Sequence, residues 1–202
     1  AGVFADEIEP VEVKTRKGTQ VMDTDEHPRK DAKIEDMAKL PAVFKKDGGV
    51  VTAGSASGIC DGAASLVVAG EKAVTEHGLS PLARVVSFAR VGCDPTIMGI
   101  GPVPAIRMAL DQAGLTLADM DIVEINEAFA GQYLACEKEL GLDRSKSNMN
   151  GGAIALGHPL GASGARIMAH LSHALQRTQK KYAVGAACIG GGQGIAIVVE
   201  AF

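Results

Sequence analysis

His158 and Cys188 each sit in glycine-rich backbone, within Gly157-His158-Pro159-Leu160-Gly161-Ala162-Ser163-Gly164 and Cys188-Ile189-Gly190-Gly191-Gly192. Thioester chemistry would use such a pair. A thiol that exchanges a proton needs a nearby proton partner, and glycine lets backbone N–H groups approach a carbonyl that becomes an oxyanion. A third segment, Asn126-Glu127-Ala128-Phe129-Ala130, sharpens the pattern. Taken singly, each residue has a plainer reading. His158 could bond a neighbouring carbonyl, Cys188 could be a small buried hydrophobe, and Asn126 with Glu127 could cap the helix that follows. Their joint occurrence favours chemistry.

The flanking residues favour fixed positions. Gly157 and Pro159 set the backbone direction around His158 and disfavour a helix interior. Cys188 follows the apolar run Tyr182 to Ala187, which predicts a thiol emerging at a strand end beside approachable backbone N–H groups. Lowering a thiol pKa from about 8.5 to about 7 requires ~2 kcal/mol of differential stabilisation. A nearby imidazole or oriented backbone dipoles could supply it.

These residues need a scaffold. The stretch from Asp6 to Asp47 holds nearly half of all Asp, Glu, Lys and Arg, after which glycine and small apolar residues take over. That shift marks a module boundary after a solvated lobe. Within the lobe, Val11-Glu12-Val13-Lys14 alternates like an exposed strand, and Ala32 to Leu40 has helical character stopped by Pro41. Strands are predicted at Ala63 to Ala69, Ala83 to Val91 and Ile122 to Ile125. Helices are predicted from Pro102 or Pro104 to a Gly114 stop, from about Ala128 to Leu140, and from about Ser163 to Leu175. Tyr182 to Phe202 is apolar enough to suggest a membrane span, but Gly190 to Gly192 and Gly194 cut it into strand-length halves, which predicts a buried hairpin. Alternating strands and helices predict a layered α/β domain, and no internal repeat is visible.

Composition narrows the function classes. With 202 residues, 47% of them hydrophobic, the chain can bury a core without disulfides or metal. A net charge of −4 and the absence of Trp disfavour nucleic acid as a partner. Cys60, Cys93, Cys136 and Cys188 lie far apart with no CxxC spacing, so reduced thiols are expected and a zinc site is not. The glycine-rich stretches fail both phosphate-loop templates, which disfavours nicotinamide and ATP. His170 and His173 share a helical face without a carboxylate or cysteine pattern, and are expected to be surface or packing residues. No cationic segment followed by an apolar one opens the chain, so a targeting peptide is expected to be absent or removed.

In this order and spacing, the segments around Asn126, His158 and Cys188 resemble the C-terminal half of the thiolases, the family that makes or cleaves 3-oxoacyl-coenzyme A. The resemblance runs through essentially the whole chain. It implies a layered α/β/α fold of two similar halves stacked as five layers, with a loop domain inserted in the first half. On that template residues 1–57 would be the end of the loop domain, 58–80 the last part of the N-terminal core, and 81–202 the C-terminal core.

The resemblance also implies roles. Cys188 would exchange the proton at the substrate's α-carbon or thiol. His158 would activate a nucleophilic cysteine and help bind a thioester oxygen. Asn126 would hold a catalytic water in a first oxyanion site, and the Gly190 N–H would donate in a second, where one donor is worth about 2.7–4 kcal/mol of barrier. Ser57, in Thr52-Ala53-Gly54-Ser55-Ala56-Ser57-Gly58, matches a residue that touches the pantetheine arm. Arg29, in Asp25-Glu26-His27-Pro28-Arg29, resembles an arginine beside the nucleotide end of coenzyme A. Met98 and Phe129 match positions lining the thioester pocket. The chain departs from the family pattern at Ser55, where asparagine is usual, and its Gly48-Gly49-Val50-Val51 segment is one residue longer.

The family's nucleophilic cysteine belongs to the N-terminal half, and no segment here resembles its surroundings. The chain alone is therefore expected to lack acyl transfer. Coenzyme A and acyl-coenzyme A are implied as substrates, with no cofactor or metal. The complete protein is expected to include the missing N-terminal half and to form a homodimer or homotetramer. The segments Pro95 to Pro102 and Cys188 to Gly194 look most like the mitochondrial fatty-acid-oxidation type, implying the matrix, with cytoplasm or peroxisome as the alternative compartments. An acetoacetyl-specific thiolase piece is the enzymatic alternative, and a non-catalytic coenzyme A-binding or dimerisation module the other.

Overall fold

In the computed structural model, which describes residues 2–202, the charged lobe carries a hairpin of β1 (Val11–Thr15) and β2 (Gly18–Met22). Every residue of β1 is exposed, as the alternation around Val11 suggests. The helical character of Ala32 to Leu40 condenses to one turn, α1 (Ile34–Met37), which buries no residue. A four-residue helix has almost no stability of its own, and the apolar side chain of Ile34 is left 73% exposed.

The strand expected over Ala63 to Ala69 does not form. The segment is irregular, with Val67 90% and Val68 86% exposed. A strand needs a neighbour to accept its backbone hydrogen bonds, and no described strand runs beside it. Instead α2 (Glu71–His77) follows, closed by a left-handed Gly78.

The rest forms a layered unit. It contains β3 (Ala83–Gly92), α3 (Pro102–Ala113), β4 (Ile122–Ile125), α4 (Ala130–Leu140), α5 (Ala153–Leu156), α6 (Ser163–Thr178), β5 (Tyr182–Ile189) and β6 (Gln193–Ala201), with 3-10 turns at Pro95–Ile100 and Leu117–Asp119. The sheet order is β3-β6-β5-β4. The β5/β6 hairpin is antiparallel, β3 runs antiparallel to β6, and β4 runs parallel to β5. The period of two along the strands divides the core between the faces. Val123, Ile125, Val184 and Val198 pack with Ile106, Ala109 and Leu110 of α3. Ile122, Ala183 and Val199 pack with Ile167, Leu171 and Leu175 of α6. Burying each large aliphatic side chain contributes about 1.5–3 kcal/mol, so the two helices are fixed to opposite faces.

Two boundaries differ from expectation. Phe129 is extended and bridges Ala56, so α4 starts at Ala130 rather than Ala128. α6 continues past Leu175 to Thr178 and ends at a left-handed Gln179, because neither glycine nor proline interrupts it. Among the described residues no helix is long and apolar enough to cross a membrane.

Candidate active site

His158 is held from several directions. It follows α5, where Gly157 turns the chain at φ 90°, and its N–H donates to the Gly58 carbonyl at 2.8 Å. Its Nε2 lies 3.2 Å from Asn126 Nδ2 and its Nδ1 lies 2.6 Å from Ser163 Oγ. Burial lowers the imidazole pKa below its ordinary value, and the Arg166 charge lowers it further, so the ring is neutral at pH 7. A neutral imidazole can take a proton. Asn126 stands at the end of β4, 3% exposed, with its N–H donating to Ala186 O at 2.9 Å. Its Oδ1 is buried with no partner among the described residues, so the amide offers an acceptor beside the imidazole.

Glu127 ties these pieces together instead of capping the helix after it. The N-cap of α4 is Phe129, with no side-chain bond. The Glu127 carboxylate instead accepts from Asn148 Nδ2 at 2.9 Å and from the Ile154 N–H, in the first turn of α5, at 3.3 Å. Asn148 also bonds the Ile125 N–H and carbonyl, each at 2.9 Å. One carboxylate thus links the strand end carrying Asn126 to the short helix that leads into His158.

Cys188 lies near the end of β5, paired with Gly194 across the hairpin. Burial pushes its thiol above the ordinary range and the neighbouring Cys93 adds to the shift. A lowering by a nearby imidazole, which the sequence left open, is not what the packing produces: no hydrogen bond joins Cys188 to His158 among the described residues, and burial disfavours the thiolate. The thiol is neutral at pH 7 and is equipped to donate a proton first. Gly190 opens the hairpin tip, where the exposed Gly191 and the buried Gly192 take φ of 88° and 86°. The Cys93 N–H donates to Gly192 O at 2.7 Å, which seats the half-buried Met98 turn against the tip. Cys136 is a packing residue, its thiol bonded to Gly99 O at 3.3 Å and pushed up to about 11 by burial.

The segment around Ser57 runs alongside Phe129. Ala56 and Phe129 form a bridge, the Ala130 N–H donates to Ser55 O at 2.8 Å, and both the N–H and the hydroxyl of Ser57 donate to Ala128 O at 3.0 Å. The Ser57 hydroxyl is therefore committed to the backbone. Arg29 is exposed, and no hydrogen bond joins its side chain to the other candidates among the described residues. Its neighbour His27 makes the connection: a Cβ on Gly58 would collide with the His27 ring, and one on Gly157 would meet both His27 and the Cys60 sulfur. His27 and Cys60 pack around the His158 backbone, a placement no local motif announces.

His170, expected to be a surface or packing residue, packs inside the fold and has ionic partners as well. It is buried, with Nδ1 2.9 and 3.0 Å from the two oxygens of Glu7 and Nε2 3.9 Å from Glu124 Oε1. Asn150 Nδ2 lies 3.3 Å from the same Nε2, and Phe4 packs on the ring at 5.4 Å. The partner carboxylates come from positions 46 and 163 residues away, beyond any helical spacing rule. Glu124, facing His170, Arg166, Glu127 and Glu7, has its pKa raised from 4.5 to about 7 by burial first, with His170 and Arg166 opposing. A folded carboxyl that holds its proton to a higher pH contributes stability present below about 4.5 and lost as pH rises through about 7, here about 3 kcal/mol. Glu124→Gln is expected to match the parent at pH 5 and exceed its stability at pH 8, read as urea midpoints; equal midpoints at pH 8 would refute the assignment.

Comparison with known proteins gives a consistent picture. The family model described as "Thiolase, C-terminal domain" matches residues 79–201, and "Thiolase, N-terminal domain" matches residues 1–72. The chain is 64% identical over 200 residues to the mitochondrial 3-ketoacyl-CoA thiolase of Bos taurus, covering 99% of this chain and 50% of that protein. It superposes on human mitochondrial 3-ketoacyl-CoA thiolase crystallised in complex with CoA at a TM-score of 0.91 and 57% identity, covering 100% of this chain and 50% of that one. Against the acetyl-CoA acetyltransferase of Bacillus anthracis the TM-score is 0.97 at 51% identity, covering 100% and 51%. The chain spans about half the length of the curated relatives it matches.

Proposed function

The chain belongs to the thiolase family, and from that premise we propose that it supplies the proton-transfer residues of a 3-ketoacyl-CoA thiolase. The observation that carries this reading is the partly buried contact of Asn126 Nδ2 with Nε2 of a neutral His158, 3.2 Å apart, beside an amide oxygen with no partner among the described residues. Coenzyme A and its 3-oxoacyl thioesters are the substrates. The reading is strengthened by the relative crystallised with CoA.

In the reaction so read, His158 Nε2 takes the proton of a cysteine supplied by the other half of the protein. The thiolate attacks the 3-oxo carbon, the bond between C2 and C3 breaks, and the acyl group stays on that sulfur. Cys188, neutral at rest because its thiol is buried, gives its proton to the departing carbanion of the acetyl thioester. The Cys188 thiolate then takes the proton of incoming coenzyme A, whose sulfur attacks the acyl thioester and expels the cysteine as a thiolate, which recovers its proton from His158. Asn126, through a bound water, and the Gly190 N–H stabilise the oxygens that become negative. Met98 and Phe129 line the acyl pocket, Ser57 fixes the loop along the pantetheine arm, and Arg29 meets the nucleotide end.

The same proposal covers the setting: residues 1–57 as the end of a loop domain, 58–80 as the last part of an N-terminal core, 81–202 as the C-terminal core, a homodimer or homotetramer as the assembly, and the mitochondrial matrix as the compartment. The relatives named as mitochondrial support the last point. A test supplies acetoacetyl-CoA and CoA to the chain alone and to the chain combined with an N-terminal thiolase half. Turnover is expected only in the combination; robust thiolysis by the chain alone, abolished by Cys60→Ala or Cys93→Ala, would overturn the proposal.

A further inference from the structure

We propose that Ser163 is a positioning residue that holds His158 as its Nδ1–H tautomer, so that the Nε2 lone pair is presented to the reacting groups. The inference rests on the reading of His158 as the proton acceptor and adds a residue with no role so far.

Two contacts at opposite edges of the ring lead to the same tautomer. Ser163, 3% exposed, is the first residue of α6, and its Oγ lies 2.6 Å from His158 Nδ1 and 3.0 Å from Pro159 O. A carbonyl only accepts, so the single hydroxyl proton goes to Pro159 and lone pairs face Nδ1, which must carry a hydrogen. At the other edge Asn126 Nδ2 only donates, so the Nε2 it faces at 3.2 Å is the acceptor. The hydrogen bond made by one ring nitrogen sets the role of the other.

The Ser163 oxygen is itself fixed. The Ala162 and Ser163 N–H groups both donate to the Pro159 carbonyl at 2.8 Å, closing the histidine loop onto the start of α6. When Nε2 accepts a thiol proton, the resulting imidazolium keeps its Nδ1–H on Ser163 and no group has to turn. The hydroxyl oxygen is also an acceptor facing a ring whose positive form is opposed by burial and by Arg166, three residues further along the helix.

The test uses the native protein that contains this chain, 15N-labelled at histidine, with the His158 signals identified by their loss in His158→Asn. At pH 7 the parent is expected to show Nδ1 protonated and Nε2 bare. Ser163→Ala is expected to give mixed tautomers and a kcat lower by roughly 10- to 100-fold with KM nearly unchanged, and Ser163→Thr, which keeps the hydroxyl, to recover most of both. A parent ring protonated at Nε2 overturns the proposal, as does a Ser163→Ala protein with unchanged tautomer and kcat. The parent spectrum decides the matter even if Ser163→Ala fails to fold. The tautomer is read without turnover, so a protein that shows the Nδ1–H form but no thiolysis would defeat the functional reading alone.

Discussion

His158→Ala is expected to lower kcat/KM for 3-oxoacyl-CoA thiolysis in the complete protein by about 10³-fold, while the melting temperature changes little. A positioned acid or base commonly contributes 10²–10⁴-fold, and this imidazole combines a neutral resting state with fixed partners on both nitrogens. Its truncation leaves a half-exposed gap at a loop, outside both packed clusters, so the fold has little to lose. The pH profile gives a second reading. Because burial and Arg166 hold the His158 pKa below its ordinary 6.5, the acid limb of kcat/KM should fall below pH 6.5. Neutralising the neighbouring cation in Arg166→Gln should move that limb upward. A loss of less than tenfold in His158→Ala would remove this residue from the proton-transfer role.

The chemistry of the site was legible where it depends on local backbone, and less so where it depends on distant partners. Glycine and proline around His158, and the glycines from Gly190 on, announce constrained loops; His158 sits in one, and Cys188 stands near the end of β5 just before the other. The hairpin, β4 and α3 follow from apolar runs and stop residues that act within a few positions. Ser163 stood inside the histidine motif, but its hydrogen bond to Nδ1 depends on how the loop meets α6. The thiol of Cys188 shows the limit most plainly. Neighbouring motifs suggested a lowered pKa, whereas the packing around the sulfur, which no local pattern encodes, moves it upward.

The same distinction explains the misplaced strand. Leu66, Val67 and Val68 form an apolar run of strand length, but a run becomes a strand only beside another edge, and the described chain offers it none. Likewise Glu127 looks like a cap for the helix that follows it in sequence. In space it reaches the helix that precedes His158, because Asn148 brings that loop alongside β4. Sequence neighbours define the elements, and the site is assembled from contacts between them.

Gly194→Ala should be the most damaging small substitution in the molecule, costing more than about 4 kcal/mol of stability or preventing folding altogether. A Cβ at Gly194 would overlap the carbonyl of Gly101, and a Cβ at Gly101 would run into the Gln193 carbonyl just before Gly194. Neither side has room to yield. Gly194 is paired with Val91 on one side and Cys188 on the other, while Gly101 is followed at once by Pro102 and the buried start of α3. Only bare backbone lets the two elements approach so closely, and their contact keeps the Met98 turn against the hairpin that carries Cys188. Gly190→Ala is the contrasting substitution, because a Cβ there meets nothing within 4 Å and the backbone needs no left-handed φ. Its stability should stay within about 1 kcal/mol of the parent. Urea midpoints for the two variants check the pair: similar midpoints would mean that the glycine contact does not fix the site, whereas a collapse confined to Gly194→Ala would identify it as the joint that holds Cys188 in place.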